Sequence, residues 1–124
     1  MGEVSDRVIL QRLRNRVMES LEMLRDGVSV DEIGTAEVIN IWYDYVDGEE
    51  RLSFFREAVF TEEELASINE MMEVMETNCE AVPCTWAQRD LAFCEPWSNI
   101  VFTANKALLV FEKRGRFDED RECT

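Results

Sequence analysis

Between Ser5 and Arg25 the apolar residues Val8, Ile9, Leu13, Val17, Leu21 and Leu24 recur at three- to five-residue steps, with polar residues between them and no Pro or Gly before Gly27. That spacing predicts an amphipathic helix. Ser29-x-x-Glu32 has capping-box spacing, but Gly34 follows at once, so one helical turn is expected there before a second start at Thr35. From Thr35 to Val46 the apolar and aromatic residues Val38, Ile39, Ile41, Trp42, Tyr43, Tyr45 and Val46 cover most of a helix. Only a narrow polar strip of Glu37, Asn40, Asp44 and Asp47 is left, and Gly48 is a natural stop. The stretch Glu49 to Phe60 reads as an apolar connector or short helix. Thr61-Glu62-Glu63-Glu64 is a strong helix start, because the threonine hydroxyl can take an orphan amide while Glu64 reaches back. The helix it opens is expected to reach about Cys79, with Leu65, Ile68, Met72, Met75 and Cys79 as its apolar stripe. Pro83 ends that run, and Thr85 to Phe93 suggests a further short helix carrying Trp86. Glu95-Pro96-Trp97-Ser98 caps a last helix, closed near Arg114 by Gly115, with Ile100, Val101, Ala104, Ala107, Leu108 and Phe111 facing inward.

No segment alternates like a strand apart from Ile100-Val101-Phe102, and nothing repeats at a fixed period. The expected architecture is an all-α, irregular antiparallel bundle of four or five helices, formed by one domain over residues 1–124 whose acidic tail frays from about residue 118. At 124 residues the chain is long enough to bury a core without disulfides or a structural metal.

Charge changes the picture most. The chain carries 13 Lys and Arg against 27 Asp and Glu, a net charge of −14, and it has no histidine. The absence of imidazole removes the Ser-His-Asp and Cys-His constellations, histidine metal ligation and the usual pH switch. The acidity argues against nucleic-acid binding, which depends on Lys and Arg neutralising phosphates. Residues 1–26 hold five Arg and five acids, whereas residues 27–80 hold 15 acids and two Arg, so the negative charge is concentrated in the middle of the chain. Glu70, Glu73, Glu76 and Glu80 have no cation three or four residues away, so local helix stability does not explain them. An acidic surface can serve solubility alone. The functional alternative is a docking face for a basic protein, where charge steers association and sets specificity.

Glu37, Tyr43, Asp44 and Asp47 on the second main helix, with Glu70, Glu73 and Glu76 on the third, are the candidate partner-binding residues. Trp42 is expected in the core and Tyr43 to be the more exposed aromatic anchor. Arg12, Arg14 and Arg16 are expected to meet carboxylates of the middle segment or of a second copy of the chain, and Arg12 with Arg16 gives a homo-oligomeric accessory protein as the alternative reading. A carboxylate-based hydrolase ranks lower, because its carboxylates would have to converge in a buried site. No cofactor or metal site is expected. Cys79, Cys84 and Cys94 are irregularly spaced for zinc, and an EF-hand register on Gly48 would put Tyr43, Tyr45 and Phe54 at ligand positions. With no secretory leader and no run of 18 apolar residues, the expectation is a non-enzymatic cytoplasmic protein without membrane contact, its cysteines reduced.

Taken in order, the segments Asp6-Arg7-Val8-Ile9-Leu10-Gln11-Arg12-Leu13-Arg14-Asn15-Arg16, Glu37-Val38-Ile39-Asn40-x-Trp42, Val59-Phe60-Thr61-Glu62-Glu63-Glu64 and Phe111-Glu112-Lys113-Arg114-Gly115 resemble a group of small acidic bacterial proteins of unknown function. That resemblance spans most of the chain and implies a bacterial cytosolic origin, with no activity or site residues attached. In kind, a small acidic helical protein presenting Tyr43-Asp44-Tyr45 is also similar to the immunity proteins that neutralise nuclease toxins, which implies an inhibitor of a basic enzyme.

Overall fold

A computed structural model describes residues 5–46 and 59–122. Four α-helices pack against one another, with no strand among the described residues: α1 (Asp6–Asp26), α2 (Val28–Val46), α3 (Glu62–Asn78) and α4 (Glu95–Glu112). Two single 3-10 turns, Cys79–Ala81 and Gln88–Leu91, lie in the connection from α3 to α4. The all-α bundle read from periodicity is the observed architecture. Of the stretch Glu49 to Phe60 only Val59 and Phe60, both buried, are among the described residues, and the stop at Gly48 lies outside them.

Each boundary has a local cause. Ser5 caps α1 by accepting from the Val8 amide at 3.3 Å, and Gly27 ends it at φ 71°, its amide returning to the Met23 carbonyl at 3.2 Å. Thr61 and Glu64 complete a reciprocal capping box at the start of α3. Pro96 opens the first turn of α4 and Gly115, at φ 72°, stops the chain after it.

Polar contacts set the antiparallel register of α3 and α4. Glu63 accepts from Lys113 at 2.9 Å, Glu70 from Lys106 at 2.9 Å, and Asn78 from Asn99 at 3.2 Å, three rungs along one flank. α4 also packs antiparallel on α1, and α1 packs on α2. The shared core contains Leu10, Val17, Leu21 and Leu24 of α1, Val38, Trp42 and Val46 of α2, Ile68, Met71 and Met75 of α3, and Ile100, Ala104, Leu108 and Phe111 of α4. Trp42 is fully buried, as expected, but its indole N–H has no hydrogen-bond partner among the described residues.

Several details differ from the periodic reading. Ile9 is 50% exposed, because the buried arc of α1 is rotated toward Leu10, Gln11, Arg14 and Met18. On α3, Met71 rather than Met72 is fully buried. Thr85 to Phe93 forms only the one 3-10 turn, and Trp86 lies before it, exposed. Among the described residues of the tail, α1 donates hydrogen bonds to the carbonyls of Phe117, Asp118, Glu119 and Arg121.

The break expected at Gly34 is real. Gly34 takes φ 84°, ψ 159°, a conformation that is essentially glycine-only. There the Thr35 amide donates to the Thr85 carbonyl at 2.9 Å, and the Thr35 hydroxyl donates to Pro83 at 2.7 Å. A Cβ on Gly34 would lie 2.8 Å from the Trp86 indole nitrogen. Gly34→Ala is therefore expected to lower stability by about 1–3 kcal/mol, read from the denaturant midpoint at unchanged slope. Adding Trp86→Ala should relieve the clash without removing the backbone strain; a neutral Gly34→Ala would contradict this account of the kink.

Candidate functional site

Arg14 lies four residues after Leu10 and three and four before Val17 and Met18, so helical geometry puts it in the middle of the apolar arc of α1. It is completely buried. Every N–H of its guanidinium finds an acceptor. Nε donates to Glu64 Oε1 at 3.2 Å and Nη2 to Glu64 Oε2 at 2.7 Å, a forked pair. Nη2 also donates to the Phe111 carbonyl at 3.1 Å, and Nη1 reaches the Gly115 carbonyl at 2.5 Å and Met18 Sδ at 3.5 Å. The rings of Phe111 and Phe117 lie against the guanidinium carbon, with centroids at 5.0 and 4.2 Å.

Glu64 is satisfied in the same way. Besides Arg14, it accepts from Arg114 Nη2 at 2.6 Å, from Arg114 Nε at 3.1 Å and from the Thr61 amide at 3.1 Å. Arg114 also donates to the Val59 carbonyl at 2.5 Å. Arg14 thus sits at the carbonyl end of α4 and Glu64 in the first turn of α3, each charge where the helix dipole favours it. Burial by itself raises the Glu64 carboxyl, but hydrogen bonds from Arg14, Arg114 and the Thr61 amide, with the Arg14 charge, outweigh it and hold the group below its ordinary value.

The residues predicted to bind a partner are distributed differently from this knot. Glu37 and Asp44 are exposed on α2, and Glu73 and Glu76 are exposed on α3; none of the four has a cationic partner among the described residues. Glu70 has one, its ion pair to Lys106 turning it toward α4 and away from that set. Tyr43 is half-buried rather than an exposed anchor, since its ring packs against the core and its hydroxyl lies 3.9 Å from Cys79 Sγ. That contact places the last part of α2 beside the end of α3. Asp47 lies outside the described residues. Arg12 and Arg16, expected to reach the middle segment or another copy, turn to the tail instead: Arg16 pairs with Glu19 and Glu119, and Arg12 with Asp120 at 3.8 Å.

Two other surfaces stand out. A groove of about 540 Å³ runs between the end of α1 and the middle of α4, lined by Arg25, Asp26, Leu91, Trp97, Val101 and Phe102. Phe93, Phe102 and Leu109 are exposed. Among the described residues no group of three acidic or thiol side chains could hold a metal ion, and no helix is long and apolar enough to cross a membrane. No protein-family model, curated protein or solved structure matches the chain.

Glu64 gives a pH dependence of defined sign. Because its folded value is depressed, its contribution is fully present above the unfolded value of about 4.3 and is lost as pH falls through the lower folded value. The stability gap between the wild type and Glu64→Gln should be constant near neutrality and narrow below about pH 4. Denaturant titrations from pH 3 to 7 check this; a gap that widens in acid would reverse the assigned direction.

Proposed function

We propose that the protein is a non-catalytic binding module whose α2 and α3 surface docks a basic protein, acting as an inhibitor or immunity protein that covers the anion-binding surface of its partner. The observation that carries this reading is the distribution of paired and unpaired charge. Arg12, Arg14, Arg16, Arg25, Lys106, Lys113, Arg114 and Arg116 are all engaged by carboxylates of the chain itself. Glu37, Asp44, Glu73 and Glu76 stay exposed without a cation among the described residues. Internal pairing consumes most cations of α1 and α4, Arg7 having no ion pair among the described residues, and leaves these four acids unneutralised, the arrangement that steers a positive partner.

Tyr43 contributes its accessible edge, next to Asp44, rather than a deep aromatic plug. Glu70 is peripheral, held by Lys106. Blocking would be steric and electrostatic: acidic groups occupy the sites where the partner's cations hold phosphate.

Charge reversal tests it. A partner captured from source-cell lysate at low salt should associate about tenfold more slowly with Glu73→Lys/Glu76→Lys and with a shallower salt dependence. The control Glu95→Lys/Glu122→Lys changes net charge equally on other surfaces and should change association by less than about twofold. Equal losses in both variants would reduce the effect to net charge and remove α3 as the docking element.

A further inference from the structure

Of the polar side chains buried in this fold, Gln11 and Asn15 hold something other than a helix. Asn15 is 2% exposed, and its amide clasps both backbone groups of Phe117: Oδ1 accepts from the Phe117 N–H at 2.9 Å and Nδ2 donates to the Phe117 carbonyl at 2.8 Å. Gln11 Nε2 donates to the carbonyls of Asp118 at 2.8 Å and Arg121 at 2.7 Å, and Arg12 Nε to that of Glu119 at 2.7 Å. A helix face is thus gripping, by its main chain, a peptide that bends at residues 119–121. Two side chains of that peptide are read as well. The guanidinium groups of Arg14 and Arg114 both lie over the Phe117 ring, at 4.2 and 4.7 Å, and the Glu119 carboxylate accepts from Asn15 Nδ2 at 3.0 Å and from Arg16.

We propose that the face of α1 bearing Gln11, Arg12, Asn15 and Arg16 is a recognition groove for an acidic peptide of the form Phe-x-Glu followed by a turn, which the chain's own tail fills and which an acidic segment of a partner protein can take over. Main-chain contacts supply affinity whatever the sequence, while the aromatic slot and the Asn15 and Arg16 pair supply specificity. The groove carries positive charge where the chain as a whole is negative, so it selects a partner chemistry opposite to that of the α2 and α3 surface and does not depend on that reading.

The attachment is built to exchange. Asp118 and Asp120 are exposed, and the Asp118 carboxylate accepts from the amides of Asp120 and Arg121 at 2.7 and 3.0 Å, so the segment carries its own turn. Gly115 is fixed by its amide to the Phe111 carbonyl at 3.1 Å and by its carbonyl to Arg14 Nη1 at 2.5 Å, so the exchanging segment is the chain after it. Release of the tail would expose the Asn15 amide and forfeit its three bonds to Phe117 and Glu119, which a like peptide restores. While the tail is docked it lowers the apparent affinity for any competitor by the fraction of time the groove is open.

The test uses the full chain and a fluorescent peptide with the sequence of residues 116–122, read by anisotropy. Phe117→Ala/Glu119→Gln, which weakens the chain's own tail, should bind this peptide at least about tenfold more tightly than the wild type does. Replacing the Phe or the Glu of the peptide by Ala should abolish that gain. If Phe117→Ala loses cooperative unfolding, Glu119→Gln alone leaves the aromatic cover in place and should show the same direction. A folded variant that binds the peptide no better than the wild type overturns the proposal. So does a wild type that sediments as a dimer and becomes monomeric with Glu119→Gln, because the groove would then serve the tail of a second copy.

Discussion

The bundle depends on one buried ion pair. Arg14 and Glu64 lie at 0% and 1% exposure, and taking either charge out of water alone would cost several kcal/mol. The cost is met by completeness: no N–H of the guanidinium is left over, and the carboxylate is shared by Arg14, Arg114 and the Thr61 amide. The pair joins α1, the first turn of α3, the last turn of α4 and the tail at one point. Such a junction is weak evidence for net stability, since a well-packed apolar replacement can do as well. Its effect is on register: only one rotation of α1 brings Arg14 to the end of α4 while Phe117 covers it.

The same junction explains why the tail is ordered and where charge remains. The guanidinium groups of Arg14 and Arg114 both lie over the Phe117 ring, and polar residues of α1 take the backbone that follows. Pairing continues outward through Arg16 with Glu119 and Arg116 with Glu22, so the α1 and α4 side is nearly self-neutralised. These outer pairs are solvent-exposed and contribute little individually. What they leave is an uneven charge distribution: paired carboxylates around α1, α4 and the tail, and exposed Glu37, Asp44, Glu73 and Glu76 on α2 and α3 without a cation among the described residues. Both functional readings follow from that distribution.

Much of the fold was legible in the sequence because helix periodicity and caps are local. The Thr61 to Glu64 start, the break at Gly34, the stop at Gly115 and the burial of Trp42 could all be read from neighbours in the chain. Arg14 was half legible: its position between Leu10, Val17 and Met18 marks a charge inside an apolar arc, but periodicity does not name the carboxylate fifty residues away that meets it. The contacts of the tail were not legible for the same reason. Its composition is that of a solvated acidic end, and only the long-range partners Gln11 and Asn15 hold it. Tyr43 differed because the end of α3 packs beside it, and Glu70 because Lys106 comes from an antiparallel neighbour.

A double-mutant cycle between Arg14→Leu and Glu64→Leu, measured by denaturant unfolding at pH 7, tests the central claim most directly. Glu64→Leu, which strands a buried guanidinium, should cost about 3–5 kcal/mol. Arg14→Leu should cost less, since Arg114 still serves the carboxylate. The double variant should recover enough that the coupling exceeds about 2 kcal/mol. Single losses that simply add would contradict the account, because the two charges would then be bystanders in a bundle held by its apolar core alone.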